Sequence, residues 1–163
     1  VGGYPVSLAR LVAGAAVGRA FADPVTVKGS GIVGQSGVDE VAYGLLGFAG
    51  GFTAEVACAI ARTMDNRAVI EGDKGRIELV DPWVPGRNAG PSDATISVTV
   101  GGETRVEVLR SPQHLFAFEA ELFSRTIAEG ATEAPFPALS PADTAFGDAR
   151  RVAAGAEGPD RRR

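Results

Sequence analysis

From Val25 onward the apolar residues recur at every second position, and short glycine-bearing connections cut that alternation into hairpin-sized pieces. A period of two puts alternate side chains on opposite faces of a pleated strand, so this stretch does not read as a helix with one buried stripe. In residues 52–61, Phe52, Ala54, Val56, Cys58 and Ile60 share one face, while Thr53, Glu55, Ala57, Ala59 and Ala61 share the other. One face is bulky and the other small. Ile96, Val98 and Val100 alternate with Thr95, Ser97 and Thr99 in the same way, and Val106 and Val108 alternate with Arg105 and Glu107. Between the runs lie Gly50-Gly51, Asp73-Lys74-Gly75 and Gly101-Gly102, connections suited to the positive φ angles of tight hairpins. Glycine makes up 22 of the 163 residues, about twice its usual share, which disfavours long uninterrupted helices. Three hairpins in series predict an antiparallel meander.

Helices are expected only at the two ends of this strand region. Pro5 followed by VSLARLVAG fits a first helix, with Tyr4, Leu8, Leu11 and Val12 at helical spacing and Gly14 as its stop. LFAFEAELFSRTIAEG predicts another, with Leu115, Phe118 and Leu122 on one stripe, Glu121 and Arg125 as a surface pair, and Gly130 ending it. A last helix is expected to open at Ser140-Pro141, and the Gly, Pro and Arg tail over residues 155–163 is expected to be disordered. The predicted fold is α+β, a mostly antiparallel, open-faced sheet with helices on one face, spanning residues 1–154. The uncovered face of small residues is expected to serve self-association into a homo-oligomer.

Charge and composition exclude several classes of function. The net charge of −4, with no basic block inside the domain, gives no phosphate-tracking surface for nucleic acid. Apolar runs such as Ala13 to Val17 fall far short of the roughly 20 residues of a membrane span. No charged-then-apolar leader opens the chain, so a cytoplasmic protein is expected. The single cysteine, Cys58, excludes an internal disulfide, and with one histidine a cysteine-histidine zinc site cannot be built.

Five features could carry chemistry. Gly29-Ser30-Gly31-Ile32-Val33-Gly34 matches G-x-G-x-x-G, but the residues after Gly34 do not read as the helix a dinucleotide turn needs, so a strand end and loop is expected. His114 stands just before a helix, where its ring could cap the first turn or point into a cleft; no nucleophile or carboxylate nearby in sequence completes a triad. Cys58, on the bulky strand face, reads as core. Trp83 lies between Pro82 and Pro85 in a loop, outside any regular core stripe, which points as much to binding as to packing. Tyr4, at a helix start, reads either as core with a satisfied hydroxyl or as a proton donor and acceptor for an alcohol or carbonyl.

The opening VGGYPVSLARLVAG resembles the handover from the nucleotide-binding domain to the C-terminal domain in the Gfo/Idh/MocA family of NAD(P)-dependent oxidoreductases. Four further segments come in matching order: GVDEVAYGLLGFAGGFTAEV, AVIEGDKGRIELVDPWVPG with its G-x-x-G turn, FAFEAELFSRTIAEG, and PALSPADTAFGDARRV. The resemblance implies a C-terminal domain of the dihydrodipicolinate-reductase-like or glyceraldehyde-3-phosphate-dehydrogenase-like type. It is nearest to the branch of glucose-fructose oxidoreductase and dimeric dihydrodiol dehydrogenase. By that match Tyr4 is the catalytic acid/base, Trp83 faces the substrate, and His114 and Phe116 line the site. The implied substrate is a sugar, cyclitol or diol, with NAD or NADP bound mainly by an N-terminal Rossmann domain. That domain, with its glycine-rich turn and its Glu-Lys-Pro segment, is absent from this sequence, as is the aspartate expected before Val1. The chain is therefore expected to be inactive by itself. The alternative from another class is a non-catalytic, self-associating scaffold or binding module.

Overall fold

The computed structural model describes residues 2–83 and 92–130. They form helix α1 (Gly3–Ala16), strands β1 (Pro24–Val33), β2 (Asp39–Phe48), β3 (Thr53–Ala59), β4 (Ala68–Gly72), β5 (Gly75–Leu79), β6 (Ser92–Val100) and β7 (Glu103–Ser111), and helix α2 (Leu115–Ala128). This is the expected α+β class, and every strand pairing is antiparallel. The strands divide into two sheets, ordered β1-β2-β3 and β4-β5-β6-β7, and these fall in two compact units, the first with described residues 2–64 and the second with described residues 65–83 and 92–130. The helix expected from Ser140, the tail and the loop residues 84–91 lie outside the described residues.

In the first unit α1 lies on one face of its sheet. Val6, Ala9 and Ala13 meet Leu46, Phe48 and Val56, and Val27, Phe52 and Ala54 pack around them. The bulky strand face is thus the inner one, as expected: Val56 and Cys58 are buried, whereas Thr53, Glu55 and Ala57 are exposed. The helix stripe differs from the expected one. Tyr4 and Leu11 point outward, and the buried face is Val6, Ala9, Arg10, Ala13 and Gly14. Small side chains win this face because they let the helix backbone approach the large residues of β2 and β3.

Gly14 does not stop α1 but sits inside it. A Cβ there would come within 2.6 Å of the Phe21 backbone, so glycine is needed where the chain doubles back against its own helix. The return is fastened by the Ala22 N–H donating to the Arg10 carbonyl (3.0 Å) and by Arg10 Nε donating to Asp23 (3.0 Å), with the guanidinium over the Phe21 ring. The hairpin between β2 and β3 turns through Gly50 (φ 86) and Gly51 (φ 88), and that between β6 and β7 through Gly101 and Gly102, all in the left-handed region. Gly75 serves differently from the positive-φ role expected of it. Its φ is not positive, and a Cβ would collide with the Thr99 carbonyl on β6 at 2.1 Å.

In the second unit the paired strands carry their charges on the surface. Arg110 spans β7 and β6 to bind both oxygens of Asp93 (2.8 and 3.0 Å), and Arg76 holds Glu71 and Glu78. Exposed pairs of this kind contribute little each. Helix α2 ends as expected, with Gly130 at φ 68 donating to the Ile127 carbonyl. The expected Glu121–Arg125 pair gives way to a hydrogen bond from Gln113 Nε2 to Glu121 (3.2 Å). Among the described residues no helix is long and apolar enough to cross a membrane.

Two outcomes are expected from this packing. In an open helix interior Gly→Ala stabilises by about 1 kcal/mol, but Gly14→Ala is expected to lower the urea midpoint because the new methyl meets Phe21 backbone. An unchanged or raised midpoint would remove close approach as the reason for glycine. The Arg110 hydrogen bonds, reinforced by its charge, hold the Asp93 carboxyl below the usual carboxylate range. A carboxyl lowered on folding favours the folded state above its unfolded pKa and gives that up as pH falls through the folded value. Amide-exchange protection at the Asp93 end of β6 and β7 is therefore expected to fall on acidification below the usual carboxylate range, and Asp93→Asn to abolish that pH dependence. A variant titrating like the parent chain would assign the effect elsewhere.

Candidate functional site

Tyr4 is the second residue of α1. The helix opens on Gly2 without a side-chain cap and carries no acidic residue in its first turn. Pro5 occupies a first-turn position where a missing N–H costs nothing, while the N–H groups of Gly3 and Tyr4 precede the internal ladder and point out of the helix end. Such a terminus favours an electronegative ligand atom. Tyr4 is 61% exposed, and among the described residues its hydroxyl has no partner. The reading of Tyr4 as buried core is thereby overturned: the phenol is presented outward, able to donate or accept one proton.

His114 caps α2. It adopts an extended backbone, and its Nδ1 accepts from the Phe116 N–H at 3.2 Å. An accepting Nδ1 places the proton of the neutral ring on Nε2, which is left free of the cap. The rings of His114 and Phe116 lie 5.0 Å apart and tilted, and Phe116 is 57% exposed. The structure thus brings these two candidates together. Trp83, half-buried, stands just beyond β5. Leu79 at the end of β5 pairs with Ile96, and Ser111 at the end of β7 pairs with Ser92. The segments carrying Trp83 and His114 therefore leave the same end of the four-stranded sheet. Tyr4 belongs to the first unit and the other three residues to the second.

The G-x-G-x-x-G stretch runs along β1, paired with β2 from Gly29↔Gly44 through Gly31↔Ala42. No helix N-terminus comes after it, so it cannot cradle a pyrophosphate. Cys58 is buried on the inner sheet face. Among the described residues no cluster of three or more His, Cys, Asp or Glu side chains could hold a metal ion.

Two arrangements escaped the sequence reading. Arg10 is buried in the apolar stripe of α1, and its only signal was an arginine at helical spacing from Val6 and Ala13. On the open face of the first sheet, Arg62 donates to the Tyr43 hydroxyl and lies over its ring at 5.8 Å. Nothing in the sequence joins positions 43 and 62.

No protein-family profile and no curated protein matches the sequence. Solved structures do. The 3-ketoreductase KijD10 from Actinomadura kijaniata, in its open conformation with TDP-benzene and NADP, superposes with a TM-score of 0.61 at 20% identity, covering 94% of this chain and 44% of that one. A single-residue variant of the same enzyme, with the same ligands, gives a TM-score of 0.65 at 19% identity, covering 94% and 46%. The same enzyme with NADP alone gives 0.58 at 21% identity, covering 82% and 39%. The likeness is one of fold, and this chain spans less than half the length of those chains.

If His114 is chiefly a cap, His114→Asn is expected to keep most of the stability of α2, while His114→Ala costs about 1 kcal/mol. Thermal unfolding of the two variants checks this, and equal losses would show that the ring, not the accepting atom, matters.

Proposed function

We propose that this chain is the C-terminal, substrate-binding and oligomerisation domain of an NAD(P)-dependent oxidoreductase of the Gfo/Idh/MocA family, acting on a sugar or related polyol in the cytoplasm. The observation that carries the reading is coverage: 94% of the chain superposes on under half of an NADP-complexed ketoreductase. The exposed Tyr4 at the start of α1 supports it from the chemistry. So does the outer stripe of α1, where Tyr4 and Leu11 are apolar and uncovered although the opposite side already holds the sheet. A helix apolar on two sides suits a second domain packed against it.

In this reading the nucleotide is held outside the described residues, because β1 does not form a dinucleotide turn. The nicotinamide, when bound by that partner domain, supplies or takes the hydride. The Tyr4 hydroxyl gives its proton to the substrate oxygen as a carbonyl is reduced, or removes it as an alcohol is oxidised. The exposed first-turn N–H groups favour negative charge developing on that oxygen. Trp83 and Phe116 offer apolar faces for a sugar ring, and His114 Nε2 offers a donor to a substrate hydroxyl. The domain spans residues 1–154, and its uncovered sheet face joins two subunits.

In the enzyme that carries this domain, Tyr4→Phe is expected to lower kcat/KM by about 10²- to 10⁴-fold with little change in KM or in the circular dichroism spectrum. An unchanged kcat/KM would remove Tyr4 from proton transfer. The coding sequence upstream of Val1 is an independent check, with a glycine-rich nucleotide turn followed by Glu-Lys-Pro expected there.

A further inference from the structure

His114 is the single histidine of the chain, and it stands where its charge state decides a backbone contact. Half-buried at the start of α2, it accepts at Nδ1 from the Phe116 N–H at 3.2 Å. Its carbonyl accepts from the Ala117 N–H at 2.9 Å, so ring and carbonyl together close the first turn. No acidic residue lies in that turn, and the cap is all that answers its positive end. One strap holds the segment independently of the ring: Gln113 Nε2 donates to Glu121, in the second turn, at 3.2 Å.

We propose that His114 is a proton-controlled clasp on the start of α2: the neutral ring holds the first turn closed and places Phe116, and the protonated ring releases both. Only a neutral ring can accept at Nδ1, because an imidazolium carries a proton on each nitrogen. Protonation therefore turns the contact with the Phe116 N–H from a hydrogen bond into a meeting of two donors. It also sets a full positive charge at the positive end of the helix dipole, a second penalty of the same sign. The ring leaves the cap, and the Phe116 ring, 5.0 Å from it, loses the neighbour it leans on. The Gln113–Glu121 bond does not involve the imidazole, so the loosening is confined to the first turn. Around the cap, α2 carries Glu119, Glu121, Arg125 and Glu129, the sheet end from which the segment leaves carries the Asp93–Arg110 pair, and Asp81 stands just beyond β5. Carboxyl and guanidinium groups as classes keep their charge from about pH 8 down to about pH 5, the range in which histidine as a class changes its own. The contact belongs to the neutral ring, so it is present on the alkaline side of that range and is lost as pH falls. At the site, and resting on the proposed function, acidification then weakens substrate binding, because the apolar face of Phe116 and the donor at His114 Nε2 are no longer held together.

The test uses the chain as given and needs no enzyme activity. In a heteronuclear NMR titration from about pH 8 to about pH 5, the His114 ring and the backbone amides of Phe116 and Ala117 are expected to shift along one curve. Amide-exchange protection at Phe116, corrected for the intrinsic exchange rate, is expected to fall about fivefold as the cap is lost. His114→Asn and His114→Ser each keep an accepting atom without an imidazole. In both variants the two amides are expected to stay flat across the range, with circular dichroism reporting the fold. A Phe116 amide that does not follow the ring overturns the proposal, and so does a pH dependence of that amide that survives in a folded variant. A failed clasp leaves the oxidoreductase reading standing, and a Tyr4→Phe variant with unchanged kcat/KM leaves the clasp standing.

Discussion

The packing of small α1 residues onto the bulky face of the β1–β3 sheet is the contact on which the first unit depends. Val6 and Leu46 are completely buried where helix and sheet meet, and Ala9 and Ala13 let the helix come close enough for Phe48 and Val56 to fill the space between. The same contact decides what stays outside. With Val6, Ala9 and Ala13 turned inward, helical geometry turns Tyr4 and Leu11 outward, so the exposure of the candidate phenol comes from the core rather than from anything local to residue 4.

A second constraint is electrostatic. Arg10 lies on the inward stripe, yet it is satisfied because the chain returns over it: Asp23 takes the guanidinium's hydrogen bond and Phe21 its face. Leaving that group buried without its partner would be costly, so the return and the arginine are mutually required. The remaining charges sit in exposed cross-strand pairs, which tune strand edges without deciding the fold.

Much of this was legible in the residues. The alternation in residues 52–61 assigned the inner and outer faces of β3 correctly, Gly50-Gly51 and Gly101-Gly102 marked their hairpins, and capping was one of the roles open to His114. What failed did so for physical reasons. Leu8 and Leu11 look like the buried stripe of α1 because hydrophobicity alone ranks them above alanine, but closeness of approach, not side-chain size, selected the inner face. Gly14 reads as a stop because its real task, clearing Phe21, is a contact between residues seven apart. Tyr43 and Arg62 meet only once β2 and β3 have paired. The segments carrying Trp83 and His114 leave the same sheet end through register, which no spacing in the sequence reveals.

The fastening of α1 has a mechanical side. Its last turns are held by the Gly14–Phe21 approach and the Arg10–Asp23 bond, while Tyr4 sits ten residues away, about 15 Å along the axis. Val6, two residues from the phenol and completely buried, holds the near end as well, so the helix is clamped along its whole inner face. The direction of the exposed phenol is therefore set by contacts on the opposite side of the helix and in the turn after it, none of which involves residue 4 itself.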